Sequence, residues 1–303
     1  MVDGRPPDEP VIECVVNISE GRDVAVVDAV ARAGGDVVLD VHSDSEHHRT
    51  VLTLGGPLTE VEAAARAVAT EAVGRIDLFV HEGVHPRLGA VDVVPFVALD
   101  GPEVAGLADA VLRTDLETVV AARDRFAAWA GSTLGVPCFL YGPERTLPEV
   151  RRDAYRTVFP DTGPPRPHPT AGSTAVGARR VLVAYNVWIA GDRPAGPPAG
   201  DVARELATAL RRPGLRTLGL AVAAGAQVSC NLVDPVRVPL DEVYDAVTRG
   251  AVALGCRVVR GELVGLLPAT ALDSVPRDRW AELGLRSEDT IESRLASGGS
   301  GGP

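Results

Sequence analysis

The sequence predicts an α+β protein built from two tandem ferredoxin-like (split βαβ) subdomains with a ligand cleft between them. Three observations predict it. Strand-like and helix-like stretches follow one another in the order β-α-β-β-α-β, and the same order then occurs a second time. Residues are 46% hydrophobic but only 4% aromatic, so the apolar mass is Ala, Val and Leu. That mixture suits Val-rich strands packed on Ala- and Leu-rich helices. Finally, 303 residues is comfortable for two domains of ordinary size.

In the first half, residues 11–18 have strand character. Residues 24–32 have helical spacing and stop at Gly34-Gly35. Strands are expected at 36–41 and 50–54, joined by a polar turn around His42–His48. Residues 59–73 form an Ala-rich amphipathic helix with Pro57 at its start. A strand at 91–99, a helical region at 103–129 and a strand at 136–141 close the half. The second half reads as strand 180–189, helix 201–211, strands 215–223 and 227–233 around a turn at Ala224-Gly225-Ala226, helix 239–254 and strand 257–267. Each half is then an antiparallel sheet with both helices on one face. The other face needs covering by the second half or a second subunit.

These patterns divide the chain into a disordered tail at 1–10, subdomains at 11–178 and 179–285, and a second disordered tail at 286–303, which ends in Gly, Ser and Pro. The Pro-rich connector 160–169 reads as a stiff, extended wall for the cleft. A net charge of -11 speaks against bulk binding to nucleic acid or acidic membranes, which needs a basic field. No apolar signal segment opens the chain, and no apolar run would span a bilayer, so a cytoplasmic location is expected. Cys14, Cys138, Cys230 and Cys256 are scattered and read as buried small residues in a reduced protein.

Five of the six histidines lie at or before His85. His81 and His85 have the i, i+4 spacing of a helical zinc pair, but Gly83 between them and Pro86 after them disfavour a helix. His47 and His48 are adjacent and no Cys is near, so no metal is expected. The stretch His81–Phe96 is instead a Gly- and Pro-fixed loop feeding a strand. Pro86 restricts His85 to extended backbone angles. A histidine titrating near neutral pH accepts a proton from a substrate amine, and Arg87 offers a fork for a carboxylate.

The run His85-Pro86-Arg87-Leu88-Gly89-Ala90-Val91-Asp92-Val93-Val94-Pro95-Phe96 resembles the signature of the glutamate formiminotransferase family. Glu13–Arg22, Arg49-Thr50-Val51, Gly172–Gly177, Ala184–Val187, Ala226–Leu232 and Glu262–Pro268 are similar to further stretches of that family. The resemblance implies two α/β subdomains with folate bound between them, usually as a homodimer. It also implies transfer of a formimino group from N-formimino-L-glutamate to tetrahydrofolate, the co-substrate, in histidine degradation. His85 matches the catalytic histidine. The folate-binding stretch matches Gly163, Pro164, Pro165, Arg166, Pro167, His168, Pro169, Thr170, Ala171 and Gly172. Arg49, Arg87 and Arg166 are candidates to hold the carboxylates of the two substrates, and Asn17, His42 and Asn186 are further substrate-binding candidates.

Departures from the family pattern lie nearby: His42 replaces Asp, Val84 replaces Glu, His48 replaces Asn, and Val16 and Ile18 stand for Pro and Phe. They leave two alternatives open, a transferase of the same fold with another donor or acceptor and a non-catalytic folate-binding relative.

Overall fold

The computed structural model describes residues 9–83, 86–100, 104, 114–191, 196–223 and 225–298. The chain folds into two compact units, the first running to Arg180 and the second consisting mainly of Val181–Ala296. Each has its own sheet.

The first unit opens with β1 (Val11–Ile18), α1 (Val24–Ala33), β2 (Val38–Asp44), β3 (Arg49–Pro57), α2 (Leu58–Arg75) and β4 (Val91–Ala98). Helix α1 starts where the Asp23 carboxylate accepts from the N–H groups of Ala25 and Val26. Strand order β2-β3-β1-β4 is the ferredoxin-like arrangement expected. Alternation sorts the side chains of β1. Ile12, Cys14, Val16 and Ile18 join the core that α2 covers, while Glu13, Val15 and Asn17 project from the other face.

The first sheet is larger than expected and not wholly antiparallel. After α3 (Leu116–Trp129), β5 (Cys138–Tyr141) and α4 (Leu147–Asp153), strand β6 (Thr174–Arg180) inserts between β4 and β5, parallel to both. The single strand expected at 180–189 is thus the junction of β6 with the next strand, and the chain changes unit at 180/181 rather than 178/179. Helix α4 has a capping box between Thr146 and Glu149. Its Val150 covers part of the second face, packing with Val93, Phe139, Tyr141 and Ala175. The Pro-rich connector is not an extended wall. Thr162 bridges Cys138, Gly163 turns at φ +84°, and His168 pairs with Gly172 across a tight loop.

The second unit comprises β7 (Val183–Gly191), α5 (Ala199–Leu210), β8 (Leu215–Val222), β9 (Gly225–Leu232), α6 (Leu240–Ala253) and β10 (Cys256–Val264). Its sheet, in the order β10-β7-β9-β8, is antiparallel and again ferredoxin-like. Three short helices follow: α7 (Ala269–Asp273), α8 (Trp280–Leu283) and α9 (Ile291–Ala296). The tail expected to be disordered from residue 286 is therefore ordered to Ala296. Arg286 clasps Asp289, Leu267 exchanges backbone bonds with Asp289 and Ile291, and Ile291 is buried. Among the described residues, no helix is long and apolar enough to cross a membrane.

Candidate functional site

The face of the first sheet away from α1 and α2 carries three of the candidate residues. Across β2, β3 and β1, His42 pairs with Val51 and Val51 with Asn17, so His42 and Asn17 share one row; in β1 and β4, Asn17 pairs with Val93. Arg49 stands two residues before Val51 on the same face, and its guanidinium donates to Asn17 Oδ1. Asn17 is fixed from the other side, with Nδ2 donating to Val15 O at 2.9 Å. Burial pulls the Arg49 guanidinium down to about 10, partly opposed by the Asp92 carboxylate.

Three loops converge at the end of this face. In the first, after β1, the Glu20 carboxylate accepts from the N–H groups of Gly21, Arg22 and Asp23 at 2.7–3.0 Å. Gly21 is required there, because a Cβ would fall within 2.7 Å of Arg49 N. In the β2–β3 turn, His48 takes the left-handed conformation at φ +50°. Its Nδ1 lies 3.2 Å from Gly21 N and 3.3 Å from Glu20 Oε1, and its ring stacks on His81 at 4.0 Å. The third loop is the one containing His81. Its Nε2 meets His48 O at 3.1 Å, and its Nδ1 meets the Arg87 guanidinium, whose other nitrogen donates to Gly83 O. His81 thus supports the loop, and the fork of Arg87 is turned inward onto that loop.

Desolvation lowers the titration of both imidazoles. For His48, Glu20 opposes the fall while His81, Arg22 and Arg87 deepen it; for His81, Arg87 deepens it. The folded state therefore binds fewer protons than the unfolded chain below the ordinary value of 6.5, and stability is lost as pH falls from there through the depressed values. We expect the melting-temperature advantage of the wild type over His48→Gln/His81→Gln to be full above about pH 6.5 and to shrink towards pH 5. A gap that stays constant from pH 8 to pH 5 would contradict this.

His85 and Val84 lie outside the described residues, but the backbone that follows them is well held. Arg151, from α4, donates to Pro86 O at 2.9 Å and to Asp92 Oδ2 at 2.6 Å, and Leu88 N donates to Asp92 Oδ1 at 2.6 Å. Ser19 ties the first loop to this one through Gly89 O, at 2.8 Å.

The stretch matched to folate binding reaches the same place. Leu78 N donates to Thr170 O, Ala90 N to Ala171 O and Ser173 N to Leu88 O, all at 2.9–3.0 Å. His168 Nδ1 accepts from Ala171 N at 3.1 Å, which leaves Nε2 as the protonated nitrogen of the neutral ring. Ala171 is buried in the core with both backbone groups engaged. Arg166 and the prolines at 164, 165, 167 and 169 are exposed. Thus Asn17, His42, Arg49, Arg87 and the 168–172 loop belong to one unit, and the last two meet through the backbone of residues 88–90.

Asn186 belongs to the second unit. It lies on β7 opposite the core positions Tyr185 and Val187, and its Nδ2 donates to Glu262 Oε2 at 3.1 Å. The same oxygen accepts from Trp188 Nε1 at 2.9 Å, and Arg260 lies over the Trp188 ring at 4.1 Å. Sequence reasoning named Asn186 but not Glu262, Trp188 or Arg260 as site residues, and in the first unit it missed Glu20 and Arg151. The one available signal was an acid at Asp92 inside an otherwise apolar strand.

Tandem ferredoxin-like units, with a His- and Arg-rich loop leading into the fourth strand of the first, define a two-subdomain α+β enzyme scaffold. The family model described as "Formiminotransferase domain, N-terminal subdomain" matches residues 11–179, and "Formiminotransferase domain" matches residues 199–277. The chain belongs to the formiminotransferase family and is a transferase. It is 33% identical to the glutamate formimidoyltransferase of Streptococcus pyogenes serotype M1, over 92% of this chain and 94% of that protein. With the Thermoplasma acidophilum protein of the same name it shares 31% identity, over 94% and 97% of the two chains. Against the formimidoyltransferase-cyclodeaminase of Gallus gallus identity is 35% over 86% of this chain, which spans about half the length of that relative.

Proposed function

We propose that the chain moves a formimino group from N-formimino-L-glutamate to tetrahydrofolate, giving 5-formiminotetrahydrofolate and glutamate. The observation that carries this reading is the match along nearly the whole length of two proteins named glutamate formimidoyltransferase. The docking of the 168–172 loop on residues 88–90 supports it, since folate and the reacting group must be held side by side.

In this reading His85 is the proton carrier. N5 of tetrahydrofolate attacks the amidine carbon and its proton passes to the neutral imidazole. The bond from that carbon to the glutamate nitrogen then breaks, and the imidazolium returns the proton to the departing nitrogen. Arg49, Arg87 and Arg166 are the candidates to bind substrate carboxylates, Arg87 by exchanging its inward bonds for the substrate's. Asn17, His42 and Asn186 supply polar contacts, and Gly163–Gly172 binds folate. The reading includes a cytoplasmic homodimer acting in histidine degradation without a metal.

The test is turnover of tetrahydrofolate with N-formimino-L-glutamate, followed by formation of the 5-formimino product. Transfer from that donor is the expected result. Transfer only from another amidine or formyl donor would replace the donor, and folate binding with no transfer from any donor would refute the catalytic reading.

A further inference from the structure

Pro86 has no N–H, so its carbonyl is the one backbone polar group by which the residue can be held. That carbonyl is held by Arg151, whose second terminal nitrogen binds Asp92. Asp92 is only 2% exposed, and its other oxygen takes the N–H of Leu88. One ion pair therefore fixes the chain on both sides of Arg87, at Pro86 O and at Leu88 N. Both ends of the pair are mounted on regular structure. Asp92 is the second residue of β4, and Arg151 lies in the capped helix α4, whose Val150 is packed into the sheet.

We propose that Arg151 is a positioning residue for formimino transfer: with Asp92 it forms a strut that holds Pro86–Leu88, the segment that directly follows the proposed proton carrier in sequence, in register with the bound substrates. This rests on the proposed role of His85. A guanidinium suits the task because its two terminal nitrogens reach two different acceptors from a planar fork, whereas a lysine ammonium is a single point on a flexible stem. Arg49 lies close enough for its charge to be felt by the same pair, with Asp92 favouring its charged form and Arg151 opposing it. Losing the Asp92 charge would leave Arg49 beside Arg151 with only the weaker support of Asp44 among the carboxylates that favour its charged form.

Misplacement of a reacting group by about 1 Å costs on the order of a hundredfold in rate. Arg151→Ala is therefore expected to lower kcat about ten- to a hundredfold with both KM values within about threefold of wild type. Arg151→Lys should fall between the two with wild-type KM values. Arg151→Ala combined with Asp92→Asn should be no slower than the slower single variant, because one strut is broken once. Activities are normalised to the folded fraction from a melting curve, and Arg151→Lys decides the matter where Arg151→Ala does not fold. A kcat for Arg151→Lys equal to wild type, multiplicative losses in the double variant, or a loss confined to KM would each overturn the inference. Wild-type protein inactive with every donor would instead refute the catalytic reading beneath it, so the two failures are distinct.

Discussion

His85→Gln is expected to lower kcat for formimino transfer by about two to four orders of magnitude, the usual contribution of a positioned acid–base group. Glutamine keeps a polar side chain of similar reach but cannot take up the N5 proton and hand it back. Affinity for folate should stay within about tenfold, because the residues proposed to bind folate lie in a different stretch, Gly163–Gly172. Single-turnover rates with titration calorimetry of folate binding separate the two quantities. Undiminished kcat would remove His85 from the mechanism, whereas parallel loss of binding and rate would make it a binding residue.

The second large effect is expected at Gly89. A Cβ added there would meet the carbonyl oxygen of Ser173 and lie within 2.8 Å of Ala171 O. Both atoms are backbone and cannot swing aside as a side chain would. They are also part of the seam that joins residues 88–90 to the 168–173 loop. Gly89→Ala should therefore cost about 1–3 kcal/mol of stability. At about 2–4 °C per kcal/mol for a unit of this size, that lowers the melting temperature by several degrees. It should also weaken folate binding by separating the loop from its seat. Gly35→Ala is a suitable control: it lies outside this seam, at a positive φ of +62° with no atom within 4 Å of the added Cβ, so it should cost stability without changing folate affinity. Wild-type melting and binding in Gly89→Ala would show that the seam is slack.

The two β-α-β-β-α-β halves were legible because their signals are local. The 58–75 helix has its Ala and Val at helical spacing, and in β1 Ile12, Cys14, Val16 and Ile18 alternate with Glu13, Val15 and Asn17 on the other face. Strand β6 was not legible. Its sequence, Thr-Ala-Val-Gly-Ala-Arg-Arg, has little intrinsic strand preference, and it is a strand because β4 and β5 both offer it a ladder from distant parts of the chain. Small residues are what that place requires, since a Cβ on Gly177 would collide with the Tyr141 ring. The same holds for the site. Motif resemblance singled out Asn17, Arg49 and the loop containing Arg87, but only strand register sets His42 and Asn17 in one row. Arg151 sits in an ordinary short helix, with nothing near it in sequence to point to Pro86 or Asp92.

The placement of β6 also governs the order in which the first unit can be completed. It is the last strand of that unit to be synthesised, yet it occupies an interior position, between β4 and β5. Until about residue 180 has left the ribosome, β4 and β5 each present a bare edge, and the residue 88–90 seam lacks its partner. Such edges are the features that draw nascent chains into wrong pairings. Arrival of β6 closes both edges at once and seats the 168–172 loop beside the histidine segment. In the folded unit, the strand that completes the sheet interior directly follows the loop that seats on residues 88–90.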